Sequence, residues 1–328
     1  MAVRLTVTKA LAALALLLLG GSVAVEAQQK VYRIGVLSGG SQPSPTAPSS
    51  LREGLRELGW VEGKNILLEG RFAEGRQERL PELAAELVHL KVDVIVTFGT
   101  TAAVAAKRAT STIPIVLGVI GDPVRVGLVA SMARPGGNIT GNSLIAPELG
   151  VKRLELLKEM IPSVRRIAVP YDPANPAAAA FRNEQDAAAH SLGLELHHVE
   201  VRHPDDLEAA FRAVTLARAD ALLVFSDPML FSARDRMMQL ALKHRLPSMS
   251  EGKEFTEAGG LTSYSPSLPA VARRAAVFID KILRGTRPGD LPIEQPTKFE
   301  LVINVKTAKA LGLTIPASLL LRADHVIE

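Results

Sequence analysis

The stretch DVIVTF at residues 93–98 returns later in the chain as DALLVF at residues 220–225. Both stretches are apolar at successive positions, which is typical of strands that are buried on both faces of a parallel sheet. Helical patterns lie before and after each of them, so strands and helices alternate along the chain. This order predicts an α/β fold with a doubly wound parallel sheet around each copy.

The repeat extends on both sides of these two strands. Predicted strands begin near residues 34, 65, 92 and 113 in the first half, and near 167, 194, 220 and 246 in the second. Two such units predict two Rossmann-like lobes, and one large sheet containing both halves is the alternative. The glycine-rich segment at residues 136–142, GGNITGN, favours two lobes because glycine allows the chain to bend.

The chain is predicted to cross between the lobes several times. After the second half come another strand at 259–265, a helix from about 268 to 283, a proline-rich extended segment and a final strand at 299–304. These passages predict a multi-strand hinge. We expect lobe 1 to comprise residues 28–142 plus about 265–287, and lobe 2 residues 143–264 plus about 297–328.

The N-terminal residues 1–27 have the pattern of a secretory signal peptide. Arg4 and Lys9 precede an apolar core, and small residues at Val25 and Ala27 predict cleavage after Ala27. A membrane anchor is the alternative, but the uncharged stretch of residues 10–25 is shorter than the roughly 20 residues that a spanning helix needs. The pattern therefore predicts an exported protein.

The composition of the 328 residues excludes several classes of protein. The chain contains no cysteine, so disulfides, cysteine-bound metals, thiol catalysis and a lipid-modified cysteine are excluded. The formal net charge is +4, with no basic cluster interleaved with aromatic residues, so no nucleic-acid partner is expected. Nucleotide-binding and nucleophile motifs are absent from the sequence, so we expect neither an enzyme nor a cofactor. His197 and His198 alternate faces on a predicted strand, so no metal site is expected there.

Parallel sheets bind ligands beyond the carboxyl ends of their strands, and this rule selects the candidate ligand residues. The candidates in the first half are Ser38, Ser41, Thr100, Thr101 and Asp122, those in the second are Tyr171, Asp172, Asn175, Asp227 and Glu251, and Tyr264 lies at a predicted crossing.

The residue types suggest roles for some of these candidates. Thr100 and Thr101 open a helix directly after a strand, which favours an anion such as a ligand carboxylate. Asp227 or Glu251 is the more plausible partner of a ligand ammonium or hydroxyl group. A helix cap for Thr100 and Asp227 and a solvated loop position for Glu251 remain alternatives.

Tyr171 and Tyr264 are two of only three tyrosines, and either side chain is able to stack on an apolar or aromatic part of a ligand. Packing within the fold is the alternative for each. Asp122 and Asp172 both precede prolines, so each is equally well explained as the cap of a turn.

Several longer motifs resemble those of a known family. They are RIGVL at 33–37, GLRELGW at 54–60, RPGGNITG at 134–141 and QPTKFELVIN at 295–304. With these motifs the mature chain resembles the periplasmic substrate-binding proteins of ABC transporters, in the group called tryptophan/tyrosine-type. The resemblance implies the type I periplasmic binding protein fold.

The resemblance also implies a function. We expect a periplasmic, monomeric, non-catalytic receptor that closes its two lobes around a small polar ligand such as an amino acid or a related carboxylate. The closed receptor would then dock on an ABC permease in the inner membrane. The alternatives are a two-lobed α/β enzyme and a ligand sensor that presents its solute to a membrane receptor.

Overall fold

The computed structural model describes residues 30–41, 48–144, 146–225 and 227–328. The predicted signal peptide with its cleavage point after Ala27, and Ser226 beside the candidate Asp227, lie outside the described residues. Residues Tyr32–Glu328 form one unit, which contains all the elements below. No helix within the described ranges has the length and apolarity to cross a membrane.

The first sheet has five parallel strands in the order β2-β1-β3-β4-β5. These are β1 (Tyr32–Ser38), β2 (Ile66–Phe72), β3 (Val94–Phe98), β4 (Ile115–Val119) and β5 (Ile139–Gly141). Strand β3 is buried at every position, with Ile95 in the core on one face and Val94 and Val96 in the core on the other. The uninterrupted apolar run of β3 therefore reflects helices on both faces of the sheet.

Helices from two parts of the chain cover this sheet, and together with it they form what we call the first lobe. They are α1 (Pro48–Glu57), α2 (Leu80–His89), α3 (Thr100–Ala109) and the distant α10 (Leu268–Leu283). Ala272, Ala275 and Ala276 of α10 pack in the same core as Ile34 and Leu55. The small alanines allow α10 to approach α1 closely, so a late segment of the chain completes the first lobe.

The second sheet has seven strands in the order β12-β11-β10-β9-β8-β6-β7. These are β6 (Arg166–Tyr171), β7 (Glu195–Glu200), β8 (Ala221–Val224), β9 (Ser248–Ser250), β10 (Thr262–Ser265), β11 (Glu300–Asn304) and β12 (His325–Ile327). Strands β10 and β11 pair antiparallel, and the other neighbours pair parallel.

Eight further helices accompany the second sheet in the described residues, and we call this assembly the second lobe. They are α4 (Ala146–Met160), α5 (Pro176–Ser191), α6 (Leu207–Leu216), α7 (Pro228–Ser232), α8 (Arg234–Lys243), α9 (Lys253–Glu257), α11 (Val305–Leu311) and α12 (Ala317–Arg322). Leu222 and Leu223 of β8 enter different cores, one on each face of the sheet. The prediction of two parallel-sheet α/β lobes is thus confirmed, and the single-sheet alternative is excluded.

The chain crosses between the lobes after β5, after β10 and before β11, and these crossings form the expected multi-strand connection. The backbone amide of Glu294 donates to the carbonyl of Gly141 at 2.9 Å, and Ser143 donates to the carbonyl of Glu294 at 2.9 Å. The Asn142 side chain donates to the carbonyl of Val271 at 3.1 Å. The crossing segments around Asn142 and Glu294 are therefore joined by hydrogen bonds to each other and to the first turn of α10.

Candidate functional site

A cavity lies between the carboxyl ends of the strands of the two sheets, where parallel strands place their following loops. Its empty space is about 820 Å³, counted out to its open mouth. The first lobe contributes residues after β3 and β4, and the second lobe contributes residues after β6, β8 and β9. Both lobes thus form its walls, as in a cleft that closes around a ligand.

Six of the candidate ligand residues line this cavity: Thr100, Tyr171, Asp172, Asn175, Asp227 and Glu251. They come from four separate loops, which the fold brings to one place because the strands before them run parallel. Their part in ligand binding stays a prediction, but the carboxyl-end rule located the cavity.

Five candidates lie outside the lining: Ser38, Ser41, Thr101, Asp122 and Tyr264. Two of them stabilise local structure. The Oγ of Ser38 accepts a hydrogen bond from the backbone amide of Gly40 at 3.2 Å. An oxygen of Asp122 accepts one from the amide of Val124 at 2.9 Å, so this carboxylate caps a turn.

The other three candidates outside the lining have different surroundings. The Ser41 amide donates to the Oγ of Ser232 at 2.9 Å, in the opposite lobe. Thr101 lines a separate groove beside α2 and α3. The ring of Tyr264 packs near that of Phe299, with 6.0 Å between centroids. A direct ligand contact of each remains a prediction.

The apolar wall of the cavity was not predicted. It includes Val119, Ile120, Leu144, Phe225 and Leu230. Val119 ends β4 and Phe225 directly follows β8, so these apolar residues adjoin the polar positions that sequence reasoning selected. The sequence could have predicted these residues, because the last residues of a strand lie as close to a site at its carboxyl end as the loop that follows. These side chains give the cavity a surface suited to an apolar ligand group.

Asp227 is a buried carboxylate whose hydrogen bonds lie within the protein. One oxygen accepts from the amide of Met229 at 2.8 Å and thereby caps α7. The other accepts from the side-chain amide of Asn175 at 2.8 Å. The oxygen of Asn175 in turn caps α5 through the amide of Ala177 at 3.0 Å. Burial raises the pKa of Asp227, although these donors oppose the rise.

Asp172 lies beside Asp227 and is 2% exposed, but only one of its oxygens is paired. Its Oδ1 accepts from the amide of Ala174 at 2.8 Å, and its Oδ2 has no hydrogen-bond partner. Burial and the adjacent Asp227 carboxylate together raise the pKa of Asp172 to about 6, against the opposing effects of His203 and Arg202. The cavity therefore contains an acid whose charge is not balanced by a bonded partner.

Glu251, the other acid in the lining, has a cationic partner. Its Oε1 accepts from a guanidinium nitrogen of Arg153 at 3.1 Å, and both side chains are buried. The Nε of Arg153 also donates to the carbonyl of Tyr264 at 2.7 Å. Arg153 was not predicted, because one arginine in a helix with other charged residues looks the same whether it is buried or solvated.

Tyr171 is engaged by protein groups on one side. Its hydroxyl donates to a carboxylate oxygen of Glu200 at 3.1 Å, and the guanidinium carbon of Arg182 lies 4.5 Å from its ring centroid. A cation over the ring face occupies the surface that the stacking hypothesis assigned to a ligand. The ring still lines the cavity with its remaining surface.

The first turn of α3 opens toward the cavity through Gly99 and Thr100. Gly99 has a φ of 97°, a backbone conformation that favours glycine, and it places the helix start against the strand end. Backbone N–H groups of a first helical turn have no partner inside the helix, and the helix dipole is positive there. This end of the cavity therefore suits an anionic group.

The two lobes touch each other at the edge of the cavity, and α7 takes part in this contact. A Cβ atom added at Gly99 would overlap the ring of Pro228, and one at Gly40 would lie 2.9 Å from the carbonyl oxygen of Pro228. Arg125 of the first lobe also forms an ion pair with Glu184 of the second. The two lobes are thus in direct contact beside the cavity.

Comparisons with known proteins agree with this architecture. The model of the family described as ABC transporter substrate binding protein matches residues 34–327. A tyrosine-binding protein of Clostridioides difficile is 26% identical over 287 residues, which are 87% of this chain and 82% of the relative.

Two solved structures are also similar over most of their length. A conserved domain protein of Vibrio cholerae has a TM-score of 0.85 at 29% identity, with 90% of this chain and 100% of that chain covered. An ABC domain from Streptococcus pneumonia in complex with L-Trp has a TM-score of 0.83 at 28% identity, with 91% and 100% covered. Since the family model spans nearly all of the described residues, this chain belongs to the ABC transporter substrate-binding protein family.

Proposed function

We propose that this protein is a periplasmic receptor that captures an amino acid with an apolar or aromatic side chain for an ABC permease in the inner membrane. One observation carries the proposal: a cavity between the lobes combines an apolar wall with an anion-binding helix end and buried acids. The names of the relatives, which bind tyrosine or hold L-Trp, support the same ligand class.

The parts of an amino acid match parts of the cavity. Val119, Phe225 and Leu230 offer apolar surface for a side chain. The first turn of α3 offers backbone N–H groups for a carboxylate. Acidic groups of the second lobe offer a partner for the ammonium group. Each lobe thus binds one end of the zwitterion, so binding would favour closure.

The mechanism in this proposal is hinge closure. Residues 28–142 with about 265–287 move against residues 143–264 with about 297–328, and α7 meets the first lobe when the ligand is enclosed. Closure removes water from the ligand and strengthens its polar contacts. The receptor is exported by a signal peptide that is cleaved after Ala27, acts as a monomer without catalysis, and docks on its permease in the closed form.

A thermal-shift panel tests this function. We expect L-tryptophan, L-tyrosine, L-phenylalanine or L-leucine to raise the unfolding temperature, because a ligand at a hundred times its Kd stabilises the folded state by about 2.7 kcal/mol. Sugars and dicarboxylates serve as controls and are expected to have no effect. No stabilisation by any amino acid would contradict the proposal. Chemical conversion of a bound amino acid, detected by mass spectrometry, would favour the enzyme alternative.

A further inference from the structure

The unpaired oxygen of Asp172 distinguishes this acid from the other acids in the cavity lining. Asp227 accepts hydrogen bonds at both of its oxygens, and Glu251 is paired with Arg153. Asp172 accepts one bond at Oδ1 and none at Oδ2, although it is nearly fully buried. A buried carboxylate oxygen without a partner is strongly unfavourable, so such an atom in a binding cavity calls for a donor from outside the protein.

The protein's own cations do not supply that donor. His198 is the only basic residue in the described cavity lining, and its ring nitrogen lies 2.8 Å from an oxygen of Asp186. Arg202 and His203 influence Asp172 electrostatically without a hydrogen bond to its Oδ2. Arg182 lies over the ring of Tyr171. The neighbouring Asp227 adds negative charge, so the missing donor should be a cation.

We propose that the free Oδ2 of Asp172 is the seat of the ligand's primary ammonium group, and that this contact makes the amine a required feature of the ligand. The inference rests on the proposed function and goes further, because it names the residue that binds the ligand's amine. Acids that lack the amine are excluded, because a second anion would face a buried carboxylate with no compensating donor. Amines that lack a carboxylate retain this contact and lose only their interaction with α3.

The empty receptor has another way to satisfy Asp172, which is to hold a proton on it. A bound ammonium group takes the place of that proton, so binding in mildly acidic solution releases it. The affinity for an amino acid therefore depends on the protonation of Asp172. The charged groups that face Asp172 are Asp227, Arg202 and His203, and His198 also lines the cavity.

A substitution of Asp172 by Asn tests the ammonium seat. The Asn oxygen can still accept from Ala174, but an amide N–H₂ group replaces Oδ2 and faces the ammonium. We expect D172N to bind L-tryptophan about 10- to 100-fold more weakly by calorimetry, because a hydrogen bond to a charged group is lost. In D172N the affinities for L-tryptophan and indolepropionate should become similar, and so should the affinities for L-leucine and isocaproate.

The matched control is D220N. Asp220 also accepts backbone amide hydrogen bonds, from Arg165 and Arg166, but at the opposite end of the second sheet. D220N should keep the wild-type preference in both ligand pairs. If wild type binds an amino acid and D172N keeps the same preference, the ammonium seat is wrong while the receptor function stands. If wild type binds no amino acid, the proposed function fails and the seat fails with it.

The pH dependence of wild-type binding tests the same inference without a variant. Burial raises the pKa of Asp172 to about 6, so the empty receptor carries the proton below that pH. We expect the Kd for L-tryptophan to be constant from about pH 6 to about pH 7, where the ligand amine stays protonated, and to rise by up to about tenfold for each pH unit below about 6. Calorimetry in buffers of different ionisation enthalpy should detect proton release below pH 6. A Kd that does not change between pH 4.5 and 7, or one that falls with acidification, would overturn the proposal.

Discussion

Substitution of Gly40 by Val is expected to weaken amino-acid binding by about a hundredfold, through a block on closure of the lobes. A Cβ atom at Gly40 would lie 2.8 Å from the Oγ of Ser232 and 2.9 Å from the carbonyl oxygen of Pro228. Both neighbours belong to the second lobe, and one is backbone that cannot move aside alone. Overpacking of this kind costs about 3 kcal/mol at the upper end of its usual range, which corresponds to about a hundredfold in affinity.

The same substitution should leave the empty protein nearly as stable as wild type. Gly40 does not have a left-handed backbone conformation, so a side chain there adds no backbone strain. In an open arrangement the second lobe is absent from this surface, and the valine faces solvent. Thermal unfolding without ligand therefore separates a block on closure from damage to the fold.

Gly150 in α4 provides a matched control for Gly40. A Cβ atom there would come no closer than 3.9 Å to the side chain of Gln185, within the same lobe. We expect G150A to bind L-tryptophan as wild type does, measured by calorimetry beside G40V. If G40V bound with unchanged affinity, the contact between Gly40 and α7 would have no part in ligand capture.

The sequence predicts the fold well where a strand is apolar at every position, and less well where an element is short or contains glycine and proline. The runs that became β3 and β8 are apolar throughout, so their role in two sheets was clear. Strand β5 lies inside the segment that was interpreted as a glycine-rich connection, because three residues between glycines give too little pattern. Helix α4 contains Pro147 and Gly150, which weaken its helical signal.

The sequence predicts which loops form the candidate site, but not which side chains of those loops line the cavity. The carboxyl-end rule selected both Thr100 and Thr101, but adjacent residues of a helix project about 100° apart, so only Thr100 lines the cavity. The rule also selected Asp172, Asp227 and Glu251 without showing which of these acids has a partner within the protein. Their differences depend on partners such as Asn175 and Arg153, which lie far away in the sequence and become neighbours only in the fold.

These partners change which acid is best suited to a ligand amine. The prediction favoured Asp227 or Glu251 for the ammonium group, yet both carboxylates already have strong donors within the protein. A carboxylate oxygen that already accepts a hydrogen bond from a helix N-terminus or a guanidinium group is a weaker acceptor for a ligand amine than an oxygen without a hydrogen-bond partner. Asp172 was predicted only as a ligand contact or a turn cap, and among the acids of the described cavity lining it is the one with an oxygen that lacks a hydrogen-bond partner.

The largest effect on stability is expected from substitution of Arg153 by Met. The Arg153 side chain has no solvent exposure, and its partner Glu251 is only 7% exposed. Met fills much of the same space but leaves the Glu251 carboxylate buried without its cation and the Tyr264 carbonyl without its donor. Breaking a buried ion pair in this way costs about 3–5 kcal/mol of folding free energy, which chemical denaturation should measure.

Two companion variants make this result specific to the buried pair. Arg322 of α12 pairs with Glu159 at 2.9 Å, but its side chain is 46% exposed, so R322M should cost no more than about 1 kcal/mol. The double variant R153M/E251Q should recover a substantial part of the stability lost in R153M, because it replaces the buried carboxylate of Glu251 with a neutral amide. Equal losses in R153M and R322M, or no recovery in the double variant, would mean that the cost comes from lost packing rather than from an uncompensated carboxylate in the cavity wall.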